Sequence, residues 1–291
     1  MPLPMSTLII RAAKAAHYAV IGGYSRVRLS MATSEVDYLL VSYPKSGRTW
    51  FRYILSCYFA ESLGLSAAPD LSAMFRFLPN LDWDHQRGLP AYGDGPAAAA
   101  TFPLVAVTHH RPSVRWPNSM PVIFMVRDPR DVLVSRYYHA TRHKHQFTGD
   151  ITAFIHDPDQ GLPAWVKHTN DWAAALANRP HAIVSYERLS AFPIVETGRV
   201  LAFLGQAIDP ERLARAVEAA EIDRMRELEL HNGIPGHRYD RNDPQALRVR
   251  RGIIGGYREE LGQGDLEWID HYIAEHLHAA ARNLMGHIAS D

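Results

Sequence analysis

The sequence predicts an α/β protein: a P-loop-like, doubly wound parallel sheet flanked by helices, in a single domain. Three observations lead there. Short apolar runs at residues 37–43, 104–108, 122–126 and 182–186 have the continuous hydrophobicity of strands buried on both faces. Segments with helical spacing separate them. Each run ends in a polar loop, and after residues 42 and 126 that loop leads straight into a helix.

The first run, Asp-Tyr-Leu-Leu-Val-Ser-Tyr, stops at the turn signal Tyr43-Pro44. From Trp50, apolar residues recur at Tyr53, Ile54, Cys57 and Tyr58, which predicts a largely buried helix and makes Cys57 a packing residue. Residues 67–103 are broken by prolines and glycines and carry Phe75, Phe77, Trp83 and Tyr92, so they read as a long irregular loop. Such a loop serves either as part of a pocket or as an aromatic-pinned surface segment. The third run meets Asp128 as N-cap and Pro129 at the first helical position. His139, His143 and His145 beside Arg142 and Lys144 read as a solvated basic face, with no metal assigned. Residues 162–176 predict a helix with Trp165 and Trp172 in the core. Residues 197–204, 210–230 and 265–285 are helical by period, and residues 231–248 are a polar loop.

Composition narrows the function. Of 291 residues, 47% are apolar, enough for a substantial core and against global disorder. Lys+Arg and Asp+Glu balance at 31 each, so net charge gives no ground for nucleic-acid binding, and an anion site must come from local clustering. The lone cysteine excludes an intramolecular disulfide and a cysteine-rich zinc site, and fits a reducing, cytoplasmic setting. Residues 1–34 read as a helical lead-in to an α/β domain over 35–291. Their apolar run is too interrupted for a membrane span or a signal peptide. They leave open a basic helix lying on a membrane surface or, more simply, one packed on the domain.

On a doubly wound sheet, ligands bind beyond the carboxyl ends of the strands. Those ends carry Lys45, Ser46, Gly47, Arg48 and Thr49, then His109 and His110, then Arg127 with Ser135, then Tyr186. Residues 43–50 offer unpaired helix-start amides, a glycine for close approach, a mobile cation and hydroxyl donors, which together suit a phosphate. An ordinary strand-to-helix turn with a chance lysine is the alternative. The lysine precedes the glycine, unlike the Walker pattern, and no Walker B aspartate or spaced carboxylate pair supplies magnesium ligands.

The segment Ser42-Tyr43-Pro44-Lys45-Ser46-Gly47-Arg48-Thr49-Trp50 resembles the 5′-phosphosulfate loop of the sulfotransferases that use 3′-phosphoadenosine 5′-phosphosulfate (PAPS), with Arg48 where the family has threonine. Arg127 to Ser135, arginine and serine eight apart, resembles the family's 3′-phosphate segment. Val184-Ser185-Tyr186-Glu187 is similar to the strand whose tyrosine contacts adenine, and Arg250-Arg251-Gly252-Ile253-Ile254-Gly255-Gly256-Tyr257-Arg258 to the family's C-terminal Arg-Lys-Gly segment. The four motifs stand in family order.

This resemblance implies transfer of a sulfuryl group from PAPS to the hydroxyl of a small molecule, carbohydrate or lipid. The product nucleotide would be 3′-phosphoadenosine 5′-phosphate (PAP), and no metal would be needed. Lys45, Ser46, Gly47, Arg48 and Thr49 would hold the 5′-phosphosulfate, and Trp50 and Tyr186 the adenine. Arg127, Ser135, Arg250, Arg251 and Gly252 would hold the 3′-phosphate. Lys45, His109 and Ser135 form the implied catalytic set, His109 being the general base and His110 its neighbour. The chain departs from the family pattern at Val107, Ala220, Ile222 and Gly256-Tyr257. At Gly262-Gln263 it departs from the dimerisation pattern, which leaves the oligomeric state open. A catalytically inactive nucleotide- or glycan-binding module and a P-loop kinase-like enzyme are the competing readings.

Overall fold

Parallel strands β1 (Tyr38–Ser42), β2 (Val105–Thr108), β3 (Val122–Val126) and β4 (His181–Ser185) form one sheet in the order β2-β1-β3-β4. The computed structural model describes residues 33–288 apart from 67, 99–101, 113–115 and 117–118. The lead-in helix and membrane contact expected of residues 1–34 therefore fall almost wholly outside the described residues. Only a short 3-10 turn, Thr33–Glu35, belongs to that segment.

In register, Leu40 sits between Val107 and Ile123. The two-residue period of a strand then sends Leu40, Val107, Ile123 and Val184 into one core and Leu39, Val41, Phe124 and Ile183 into the other. Because both faces are covered, every strand reads as apolar throughout.

The helices that bear on the site are α1 (Arg48–Ser62), α2 (Pro129–Tyr138), α3 (Leu162–Leu176), α4 (Tyr186–Ala191) and α5 (Pro193–Phe203). They are followed by α6 (Pro210–Ala219), α7 (Ile222–Asn232), α8 (Gln263–His276) and α9 (Ala279–Met285). Helix α1 contributes Phe51, Ile54 and Leu55 to the first core, with α5 and α6 beside it. Helices α2, α3, α8 and α9 line the second, where buried Trp172 stacks on Trp116. Truncating a side chain of that size costs about 3–5 kcal/mol.

The strand order turns around between β1 and β3. Their carboxyl ends lie side by side while the helices that follow, α1 and α2, pack on opposite faces. This opens a crevice above the two strands. Asp128 caps α2 by accepting from the Arg130 amide, with Pro129 at the first position, as the sequence predicts. Glu187 accepts from the Asp128 amide at 2.9 Å and from the Ser185 hydroxyl at 2.9 Å, tying the ends of β3 and β4 together.

Several expectations need correction. The irregular stretch before β2 contains short helices Met74–Phe77 and Leu89–Gly93 and buries Phe75 and Phe77. Its Pro79 carbonyl and Leu81 amide bond the backbone of Val107, covering the edge of β2. The helices expected at 210–230 and 265–285 are each two, broken at Ala220-Glu221 and Leu277-His278. His143 is not on a solvated face: it is 2% exposed, bonds the Ala246 carbonyl and His237, and stacks on Tyr239.

Candidate functional site

Residues 43–47 turn sharply between β1 and α1. Lys45 has a left-handed backbone (φ 76°), and Gly47, the residue before α1, has φ 91°. A side chain at Gly47 would put its Cβ 2.3 Å from Cδ2 of Tyr186, so the close approach of loop and ring requires glycine. The first helical bonds are made by the Trp50 and Phe51 amides to the Gly47 carbonyl. No side chain caps this helix, so the first-turn amides are available to an anion.

A cavity opens at this point. Its lining includes Lys45, Gly47, Arg48, Thr49, Trp50 and His109 from the β1 and β2 ends. Arg127 and Ser135 come from the β3 end and α2, Tyr186 from the β4 end, and Arg250, Arg251 and Gly252 from the C-terminal loop. Of the site residues predicted from sequence, Ser46 alone is missing from this wall. Its hydroxyl is buried and donates to the Tyr43 carbonyl at 2.9 Å, so it braces the turn and does not face the cavity. Arg48 lines the cavity, and its buried Nη1 has no hydrogen-bond partner among the described residues.

Two flat side chains stand edge to face across the floor, Trp50 and Tyr186, with ring centroids 5.6 Å apart. Both are pinned by main-chain carbonyls: the Trp50 indole donates to Ala220 at 2.8 Å and the Tyr186 hydroxyl to Gly252 at 3.0 Å. Ala220 therefore serves through its backbone, and Ile222 with Met225 adds apolar wall. Arg127 lies 4.1 Å over the Tyr186 ring and donates to the Ile253 carbonyl at 3.0 Å, yet its buried Nε has no partner. Asp131 holds the C-terminal loop, accepting from the amides of Gly255 at 2.8 Å and Tyr257 at 3.1 Å.

The electrostatics are those of a site crowded with like charge. Lys45 donates to the Arg248 carbonyl at 3.2 Å, and burial, then Arg248, brings its ammonium down to about 7. The same two causes bring Arg48 down to about 9. Arg248 is the functional residue that sequence reasoning missed. The available signal was its place in the cluster Arg248, Arg250 and Arg251 at the end of the polar loop.

His109 closes the site. Its Nδ1 lies 2.7 Å from the Ser42 carbonyl, which can only accept, so Nδ1 carries the proton and Nε2 the lone pair. Burial, followed by the charge on Arg48, drives its pKa well below the ordinary histidine value. His110 points elsewhere: it is exposed, and its carbonyl accepts from the Trp172 indole. A second cavity adjoins the first and shares Lys45, Arg48, Thr49, His109 and Arg248 with it. Among the described residues, no three His, Cys, Asp or Glu side chains form a group able to hold a metal ion. No described helix is long and apolar enough to cross a membrane.

The chain is similar to known proteins over most of its length. Residues 35–281 match the family model described as "Sulfotransferase domain". Over 261 residues the chain is 22% identical to sulfotransferase 1C2 of Homo sapiens, covering 87% of this chain and 86% of that protein. It is 24% identical over 258 residues to 3-beta-hydroxysteroid sulfotransferase of Cavia porcellus, covering 84% of each. The crystal structure of mouse sulfotransferase SULT7A1 complexed with PAP superposes with a TM-score of 0.62 at 19% identity, covering 90% of this chain and 94% of that one.

Proposed function

The chain belongs to the sulfotransferase domain family, and from that premise we propose that it transfers a sulfuryl group from PAPS to an acceptor hydroxyl. One observation carries the reading: His109 stands in the wall shared by two cavities, with Nδ1 bonded to the Ser42 carbonyl and Nε2 free to accept a proton. A donor in the first cavity and an acceptor in the second would meet at that wall.

The first cavity fits a nucleotide phosphorylated at both ends. Buried guanidinium nitrogens without partners on Arg48 and Arg127, and a lysine whose charge is disfavoured by its neighbours, are what a multiply charged anion relieves. Lys45, Arg48, Thr49 and the first-turn amides of α1 hold the 5′-phosphosulfate, with Gly47 allowing close approach and Ser46 bracing the turn. Trp50, Tyr186, Ile222 and Met225 flank the adenine. Arg127, Ser135, Arg250, Arg251 and Gly252 take the 3′-phosphate. PAP in the complex of the mouse relative supports the same nucleotide here.

In the step itself, the acceptor oxygen attacks sulfur as the bond from sulfur to the 5′-phosphate oxygen breaks. The acceptor proton passes to Nε2 of His109, a contribution of about 10²–10⁴ in rate. Lys45 and the helix-start amides stabilise charge growing on the departing oxygen, leaving PAP. Placement of donor and acceptor in line supplies much of the remaining acceleration. A small-molecule hydroxyl acceptor follows from the hydroxysteroid relative. A cytoplasmic setting belongs to the same reading. The buried thiol of Cys57, pushed up to about 12 by burial, is unreactive in it.

The test is transfer of labelled sulfate from PAPS to a panel of phenols, alcohols, sugars and lipids, with wild type beside His109→Ala. Wild type transfers label; the variant loses about 10²–10⁴ in kcat while keeping its affinity for PAP. Binding of PAP without transfer to any acceptor would make the protein a nucleotide-binding module. Magnesium-dependent ATP turnover would make it a kinase.

A further inference from the structure

The second cavity is cationic along its whole length. Arg48 and Arg248 belong to both cavities, whereas Arg52, Arg87, Arg136 and Lys144 line only the second, and no Asp or Glu is in its wall. Of these, Arg87 forms an ion pair with Asp84 at 2.8 Å, while Asp82 acts on Arg48 and Arg52, and Glu229 on Arg248, through space. Arg52 is 3% exposed and makes neutral bonds, to the Asn80 side chain at 3.0 Å and to the Leu78 carbonyl. Its guanidinium lies 4.2 Å from the Phe75 ring centre. Buried nitrogens of Arg48 (Nη1), Arg52 (Nε) and Arg136 (Nε) have no hydrogen-bond partner among the described residues. Lys144 is exposed at the mouth.

Buried cations are normally paired, because an isolated charge away from water is costly. Here Arg52, Arg136 and Lys144 line the second cavity and not the first. The 5′-phosphosulfate would engage Lys45 and Arg48, and the Asp82 carboxylate acts on Arg52 through space, which leaves Arg136 and Lys144 without an opposite charge. We infer that the acceptor carries a fixed negative group beside its hydroxyl, a carboxylate, phosphate ester or sulfate ester held by Arg136, Lys144 and their neighbours. The inference rests on the transferase reading and adds the acceptor's charge class to it. The local field supports it: His237 is driven down to about 2 by burial, then by Arg248 and Lys144. The wall's few apolar side chains, Pro44, Met74, Phe75 and Ile234, make a poor match for a wholly apolar acceptor.

The experiment measures kcat/KM for labelled sulfate transfer to matched pairs: 4-hydroxyphenylacetate against its methyl ester, and glucose 6-phosphate against glucose. The charged member is expected to lead by about tenfold or more in at least one pair, the lead shrinking as salt rises from about 0.05 to 0.5 M. Arg136→Gln should cut the charged-to-neutral ratio by about tenfold, and exposed Lys144→Gln by about threefold. Arg142→Gln, exposed and outside the cavity, should leave the ratio where it was. Affinity for PAP, measured in parallel, reports whether each variant is folded. Equal or faster transfer to the neutral members overturns the charge class and leaves the transferase reading intact. A ratio insensitive to both Arg136→Gln and Lys144→Gln overturns the assigned residues. Transfer to neutral acceptors of the panel above but to no charged member overturns the charge class alone; no transfer to any acceptor, with PAP still bound, overturns the transferase reading and this inference with it.

Discussion

Gly47→Ala puts the close packing of the anion loop under a quantitative test. Two separate penalties meet at that position. The backbone has φ 91°, a left-handed conformation that costs a residue with a Cβ about 1–2 kcal/mol. The added methyl would also stand 2.3 Å from Cδ2 and 2.8 Å from Cε2 of Tyr186, well inside contact distance. Tyr186 is poorly placed to yield, since it is buried, bonded to the Gly252 carbonyl and covered by Arg127. Overpacking of that kind costs about 1–3 kcal/mol, so the total is about 2–5 kcal/mol. A double-mutant cycle separates the two. Calorimetric binding of PAP and denaturant melts are measured for Gly47→Ala, Tyr186→Ala and the pair. With the ring removed, the alanine should cost only its backbone share of about 1–2 kcal/mol, giving a coupling of about 1–3 kcal/mol. Equal cost with and without the ring, or a neutral Gly47→Ala, would refute the steric argument.

Other expectations follow from the charges. Because burial holds His109 well below the ordinary histidine value, the acid limb of kcat/KM should lie below about pH 6.5 and activity should stay level down to it; an acid limb at or above that value would contradict a buried, neutral base. Lys45, lowered to about 7, is roughly one-tenth protonated at pH 8, and an anion beside it raises its pKa again. Calorimetry of PAP binding at pH 8 in buffers of different ionisation heat should therefore show uptake approaching one proton, and no uptake would remove Lys45 from the anion site. Arg127→Ala should erase most of the preference for PAP over adenosine 5′-phosphate, whereas an unchanged preference would move the 3′-phosphate elsewhere. Trp172→Ala should lower stability by about 3–5 kcal/mol without selective loss of nucleotide binding, checked by denaturant melts.

Local signals made the frame legible. Strand β3 begins and ends where its apolar run does, and Asp128-Pro129 announces α2, because an N-cap and a first-turn proline are written within a few residues. The anion loop was legible for the same reason. What escaped depends on distant partners. His143 looks like part of a basic surface until Ala246, His237 and Tyr239 close over it from much later in the chain. Arg248 lies in a polar loop with no regular period, and only the path of that loop brings it to Lys45. The breaks at Ala220 and Leu277 were hidden because the apolar period runs across both, with neither proline nor glycine at the break. The bond from the Ser46 hydroxyl to the Tyr43 carbonyl is hidden as well, because a hydroxyl donor in a turn can bond its own backbone as readily as a ligand.

The two amides that Asp131 accepts have a consequence for timing. The loop carrying Arg250 and Arg251 is fastened to the first turn of α2, so it cannot swing aside as a free flap. Hydrogen bonds to a charged group contribute about 1.5–3 kcal/mol each, and releasing two slows opening by about 10²–10⁴ relative to an untethered loop. Arg127, within 3.7 Å of the same carboxylate, shares that fastening. On the proposed reading the nucleotide cavity and the acceptor cavity are then on different clocks. One must exchange its occupant once for every sulfuryl group transferred, and only when a latch on α2 lets go, while the other, with Lys144 exposed at its mouth, can bind and release acceptor without transfer in between.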